Sequence, residues 1–117
     1  MASLNMQSSS ILGSRIIDSL ITRTLPGNYA LGRKNDKGAF EVCYVGRADS
    51  NVNDRLKSWV GNTKWPLFKF SYATSPKDAF KKECENFHDF SPPDNQVHPD
   101  RPDGSFWRCP NCNIFDL

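Results

Sequence analysis

The stretch from Phe40 to Arg55, FEVCYVGRADSNVNDR, constrains this chain more than any other. Val42, Cys43, Tyr44 and Val45 make a β-branched and aromatic run suited to a buried strand. Gly46 lets the backbone turn closely. Asp49, Ser50 and Asn51 are turn and cap residues, and Leu56, Trp59 and Val60 give the next helix an apolar stripe. Strand, turn and helix bring Tyr44, Arg47 and Arg55 close together. Arginines bind phosphate oxygens bidentately and keep their charge, so the cluster fits phosphate chemistry.

The flanking segments extend this unit into an α+β domain. Asn28 to Arg33 reads as a strand and Lys34 to Gly38 (KNDKG) as a turn, making a hairpin that places Tyr29 near Tyr44. The central helix runs from about Ser50 to Val60 and ends at Gly61. Leu67 to Ala73 alternates in character and reads as a third strand. Thr74 or Ser75 caps a helix with Pro76 in its first turn, which reaches about Phe90 and is stopped by Pro92 and Pro93. At the front of the chain Met1 to Gln7 reads as frayed. Ser8 to Ser10 can cap a helix from about Ile11 to Thr24, with Leu12, Ile16 and Leu20 at helical spacing and Ile17 and Ile21 beside them. Core packing is the first reading of that stripe, a dimer face the second.

A chain of 117 residues supports one domain with a modest core. No apolar run approaches bilayer length, and no secretory leader is visible, which together imply a cytoplasmic protein. The net charge of +2 does not by itself advertise nucleic-acid binding. Its distribution is uneven: residues 27–74 carry eight Lys/Arg against four Asp/Glu, and residues 75–117 carry five against eight. A polyanion would meet the middle of the chain and a cation the end.

Four cysteines without a leader point to thiols or metal rather than to a disulfide framework. Cys109-Pro110-Asn111-Cys112 is a CxxC knuckle. Cys84 and His88 are four apart on the last helix, so their side chains project together. On that helix Phe80 and Phe87 mark the core-facing stripe, with Glu83 on one side and Cys84 and His88 on the other, serving two different sites. Cys84, His88, Cys109 and Cys112 form a tetrahedral Cys₃His set suited to structural zinc, which would pin the aperiodic tail. A redox-active CxxC, or free thiols with a capping His, are the alternatives. Cys43 reads as a small buried apolar residue, and His98 as a surface histidine in a proline-rich loop.

The ordered residues resemble the GIY-YIG nuclease superfamily, including the N-terminal nuclease domain of the bacterial excision-repair incision subunit. Gly27-Asn28-Tyr29 stands for the first signature, with Asn where an aliphatic residue is usual, and Tyr44-Val45-Gly46 for the second. Arg47 follows that glycine, and Arg55 takes the place of the helix arginine, one residue later than in the repair enzymes. Ala79, Glu83 and Asn95 match the helix signature. The similarity covers about residues 27–95, with residues 1–26 as an N-terminal amphipathic helix and 96–117 as a tail packed on the domain.

The resemblance implies a small three-stranded antiparallel sheet flanked by helices, cutting DNA phosphodiesters with one divalent metal. The catalytic set would be Tyr29, Tyr44, Arg47, Arg55, Glu83 and Asn95. Glu83 would ligate Mg²⁺ or Mn²⁺. Tyr29 or Tyr44 would orient or deprotonate the attacking water, with an arginine helping to lower the phenol pKa. Arg55, with Arg47, would neutralise charge on the phosphorus-bound oxygens. Targeting would need a homodimer or a partner protein. The other reading is a non-catalytic nucleic-acid-binding module with a degenerate site and a structural zinc.

Overall fold

The computed structural model describes residues 3–62 and 64–115. In chain order the elements are β1 (Ser10–Ile11), α1 (Ser14–Leu20), β2 (Gly27–Lys34), β3 (Phe40–Ala48), α2 (Val52–Lys57), β4 (Leu67–Tyr72) and α3 (Pro76–Phe90). The strands form one antiparallel sheet in the order β1-β4-β2-β3. The sheet thus has four strands rather than three, because Ser10 and Ile11 pair with Phe68 and Leu67 at the edge of β4. A two-residue strand is too short to leave a period-2 signal in the sequence. Among the described residues, no helix is long and apolar enough to cross a membrane.

The hairpin of β2 and β3 turns through Asn35, whose amide and side chain bond to the backbone around Ala39, with Gly38 at φ 80°. β3 continues through Gly46 to Ala48, so the chain does not turn at Gly46. Instead the ring of Tyr29 lies over that glycine, and a Cβ there would come within 2.4 Å of the phenol oxygen. Asn28 also has a structural use. Asn28 is fully buried and its Nδ2 donates to the Ala79 carbonyl at 2.9 Å, tying β2 to α3.

Two layers cover the sheet. On one side α1 and α2 enclose Ile17, Ile21, Tyr29, Leu31, Val52, Leu56 and Phe68. On the other, Ala30 and Val45 pack with Leu4, Phe87 and Phe90. The N-terminal segment is therefore packed, not frayed, from Leu4 onward, and the Gln7 amide donates to the Phe70 carbonyl; Met1 and Ala2 lie outside the described residues. The N-terminal helix covers Ser14–Leu20 alone, because Ser10 and Ile11 are committed to the sheet and Gly13 serves as N-cap. α2 is shorter than the sequence suggests as well. Asn51 caps it, and after Lys57 it tightens into i→i+3 turns reaching Val60. α3 begins at a Ser75 cap, with Pro76 in its first turn, and ends at Phe90.

On α1 the inward face is Ile17 and Ile21, while Leu20 is 44% exposed. Replacing Ile17 with Ala should therefore cost about 2–5 kcal/mol in urea denaturation, and Leu20→Ala about 0.5 kcal/mol or less.

Candidate active site and metal centre

β3 is the outer strand of the sheet, and its free edge carries the site. The Asp94 amide donates to the Cys43 carbonyl at 2.9 Å. The Asn95 side chain accepts from the Val45 amide at 2.8 Å and donates to the Val45 carbonyl at 3.0 Å. The segment after α3 therefore caps this edge with backbone and side-chain bonds and covers its open ladder groups. Beyond this cap lies a cleft of about 770 Å³ between α2, α3 and residues 94–100. Tyr29, Tyr44, Arg47, Arg55, Glu83 and Asn95 all line it.

Arg47 is the hub of its electrostatics. Its Nη1 donates to Glu83 Oε1 at 2.6 Å and to the Asp100 carbonyl at 2.5 Å, and its Nε to Asp49 at 2.8 Å. Glu83 projects from the buried Ala79–Glu83–Asn86 stripe of α3, not from its flank; Phe80 instead faces the tail, against Trp107 and Phe115. Burial drives the Glu83 carboxyl up to about 7, outweighing the Arg47 guanidinium that pulls the other way. Five carboxyl side chains line the cleft (Asp49, Asp54, Glu83, Asp94 and Asp100) against two arginines.

The tyrosines are locked by two tryptophans, Trp59 from the apolar stripe after Asn51 and Trp65 from the loop before β4. Trp59 Nε1 donates to Tyr29 Oη at 2.9 Å, and Tyr44 stacks on Trp65 with ring centroids 5.4 Å apart. Trp65 Nε1 in turn donates to Asp94 at 2.7 Å. Burial pushes both phenols up, and the Arg55 guanidinium beside Tyr29 does not reverse this. Arg55 does pull the phenols down, as expected of an arginine here, but burial outweighs it and the net shift is upward. A raised phenol holds its proton and donates it in a hydrogen bond, so these tyrosines are suited to orienting a water.

The second cluster differs from the Cys₃His set expected. His88, His98, Cys109 and Cys112 bring one ligand atom each within 4.8 Å of one another and could hold a metal ion such as zinc. Cys84 is not among them. It is fully buried in the Phe80–Cys109 cluster beneath Trp107 and Phe115, where burial and the neighbouring Cys109 push its thiol up. His98 is not a solitary surface residue: its Nε2 lies 3.2 Å from that of His88 and 3.4 Å from Cys112 Sγ. The signal missed was the run of prolines and turns after α3, which folds position 98 back over His88. Cys43 is buried as expected. No protein-family model matches the chain, and neither does any curated protein sequence.

Glu83 makes stability depend on pH. Its folded pKa stands above the unfolded value of 4.5, so the native state holds the proton more tightly. That stabilisation is complete below about pH 4.5 and is lost as pH rises through about 7. Glu83→Gln removes this dependence. Thermal melts should show the wild type losing more stability than the variant between pH 5 and pH 8, by about 3 kcal/mol at most.

Proposed function

We propose that the protein is a GIY-YIG-type endonuclease that hydrolyses DNA phosphodiester bonds with a single divalent cation, Mg²⁺ or Mn²⁺. The observation that carries this reading is the convergence of Tyr29, Tyr44, Arg47, Arg55, Glu83 and Asn95, scattered over the chain, on one cleft. The donor set suits a hard cation: Arg47 takes Oε1 of Glu83, which leaves Oε2 as the protein ligand and the rest of the shell to water. Such an ion, when bound, supplies Lewis-acid stabilisation of a phosphate oxygen and holds Glu83 ionised.

The chain's own groups supply the remainder. Arg55 is half of a pair with Tyr29, so its charge sits beside the phenol that positions the attacking water. Arg47 shares its guanidinium among Glu83, Asp49 and the Asp100 carbonyl, and its charge would lie beside a phosphate held at Glu83. Asn95 holds the β3 edge that carries Tyr44 and Arg47 and acts by positioning them. Trp59 and Trp65 hold both phenol rings in place, so the rings need not be ordered anew at each turnover. Target choice rests with contacts to the DNA backbone and with a homodimer or a partner protein.

One observation favours the alternative of a non-catalytic nucleic-acid-binding module. The short Arg47–Glu83 pair already neutralises the carboxylate that an ion would need. Nicking of supercoiled plasmid with Mg²⁺ or Mn²⁺ decides between the two. The endonuclease cuts; Arg55→Ala slows it by about 100-fold or more and Glu83→Gln abolishes it. Cutting rises from pH 6 to pH 8 as Glu83 ionises. A folded wild type that binds plasmid and leaves it intact with either ion points to the binding module.

A further inference from the structure

We propose that His88, His98, Cys109 and Cys112 hold one zinc ion, and that this ion sets the third wall of the cleft as well as fastening the tail. The reading stands apart from the nuclease proposal, since none of its measurements requires cutting.

The ligand geometry comes first. On a tetrahedral zinc with ordinary bond lengths two nitrogens lie about 3.3 Å apart and a nitrogen and a sulfur about 3.5 Å apart. The observed separations are 3.2 Å between the His88 and His98 Nε2 atoms and 3.4 Å between His98 Nε2 and Cys112 Sγ. The tautomer of His98 is fixed as well. Its Nδ1 is 2.8 Å from the Pro99 carbonyl, which can only accept, so Nδ1 carries the proton and Nε2 offers a lone pair. The Asn111 amide donates to Cys109 Sγ at 3.4 Å, as in a CxxC knuckle wrapped around a metal. A hydrogen bond between the two imidazoles would satisfy the rings alone and leave two sulfurs aimed at the same point. With zinc, Cys109 and Cys112 release their thiol protons to solvent, and two thiolates with two neutral imidazoles balance the ion's charge.

His98 also belongs to the cleft. It lies in the segment 94–100, whose near end is bonded to the β3 edge through Asp94 and Asn95. At its far end the Asp100 carbonyl receives Arg47. This stretch has no helix or strand of its own. An ion on His98 anchors it between those two attachments, and so fixes the carbonyl that orients Arg47. His98 is thus a positioning residue for the cleft, while Cys109 and Cys112 bring in the tail.

Native mass spectrometry of protein incubated with zinc, followed by peptide-level hydrogen exchange with and without a strong chelator, tests both halves. The expected result is one zinc per wild-type chain and per Cys84→Ala chain. His98→Ala should bind zinc roughly a hundredfold more weakly or worse. Chelation should speed amide exchange at 94–101 about tenfold or more, together with that at 105–115. Failure of the wild type to take up zinc overturns the site, as does loss of zinc by Cys84→Ala with retention by His98→Ala. Exchange at 94–101 that ignores the chelator, while the tail loosens, overturns the role in the cleft. If His98→Ala does not fold, the chelation experiment on the wild type decides that role.

Discussion

The free edge of β3 is the constraint on which the rest of this structure depends. An outer strand presents unpaired amides and carbonyls, and here Asp94 bonds the Cys43 carbonyl and Asn95 both the amide and the carbonyl of Val45. The asparagine does this with one side chain, donating and accepting at the same residue as a neighbouring strand would. Because the cap stops at Val45, the next residues of the strand, Gly46 to Ala48, stay open to the cleft. Gly46 then has no side chain because Tyr29 occupies that space. One edge thus explains the position of the cleft, the glycine and the ordering of the loop after α3.

A cost is visible at Glu83. A carboxyl group lying in the buried stripe of a helix meets its own desolvation with one direct ion pair, to Arg47, and the more distant charge of Arg55. A fold selected for stability alone would put an apolar residue there, as Ala79 stands one turn earlier on the same buried stripe. The strain in protonation, the raised phenols and the crowding of five carboxyl groups around two arginines all sit in the same cleft. Perturbed groups that gather in a concavity instead of scattering over the surface are the physical ground for choosing this cleft as the candidate site.

What was legible in the sequence was mostly local. Ser75 and Pro76 announce α3, and Asn35 to Gly38 announce the hairpin, because caps and turns are decided by residues a few positions apart. Arg47, Arg55 and Glu83 could be nominated from residue type and order. The misses are non-local. The pairing of Ser10 and Ile11 with β4, and the burial of Leu4 beside Val45, depend on contacts with residues many positions away. Of the five aliphatic residues in ten positions around α1, Ile17 and Ile21 are buried and Leu12 and Ile16 pack against them, while Leu20 stays exposed because the core lies on the other side of the helix. The tightening of α2 into i→i+3 turns left no mark in its composition.

The exchange of Cys84 for His98 in the metal group shows why spacing alone misleads. Two residues four apart on a helix do project together, but they differ in depth, and a ligand must face a space that other ligands can reach. Cys84 points beneath Phe80, Trp107 and Phe115, where it packs as a small apolar group. His88, one turn on, sits nearer the end of α3, where the chain has left the helix and returns over it. The left-handed Ser91 at φ 43° closes α3 and redirects the chain, and Pro92 and Pro93 prevent the helix from resuming. The residue delivered to His88 by that reversal is His98. The same reversal places Asp94 and Asn95 on the edge of β3, so the helix stop organises the cleft and the metal group together.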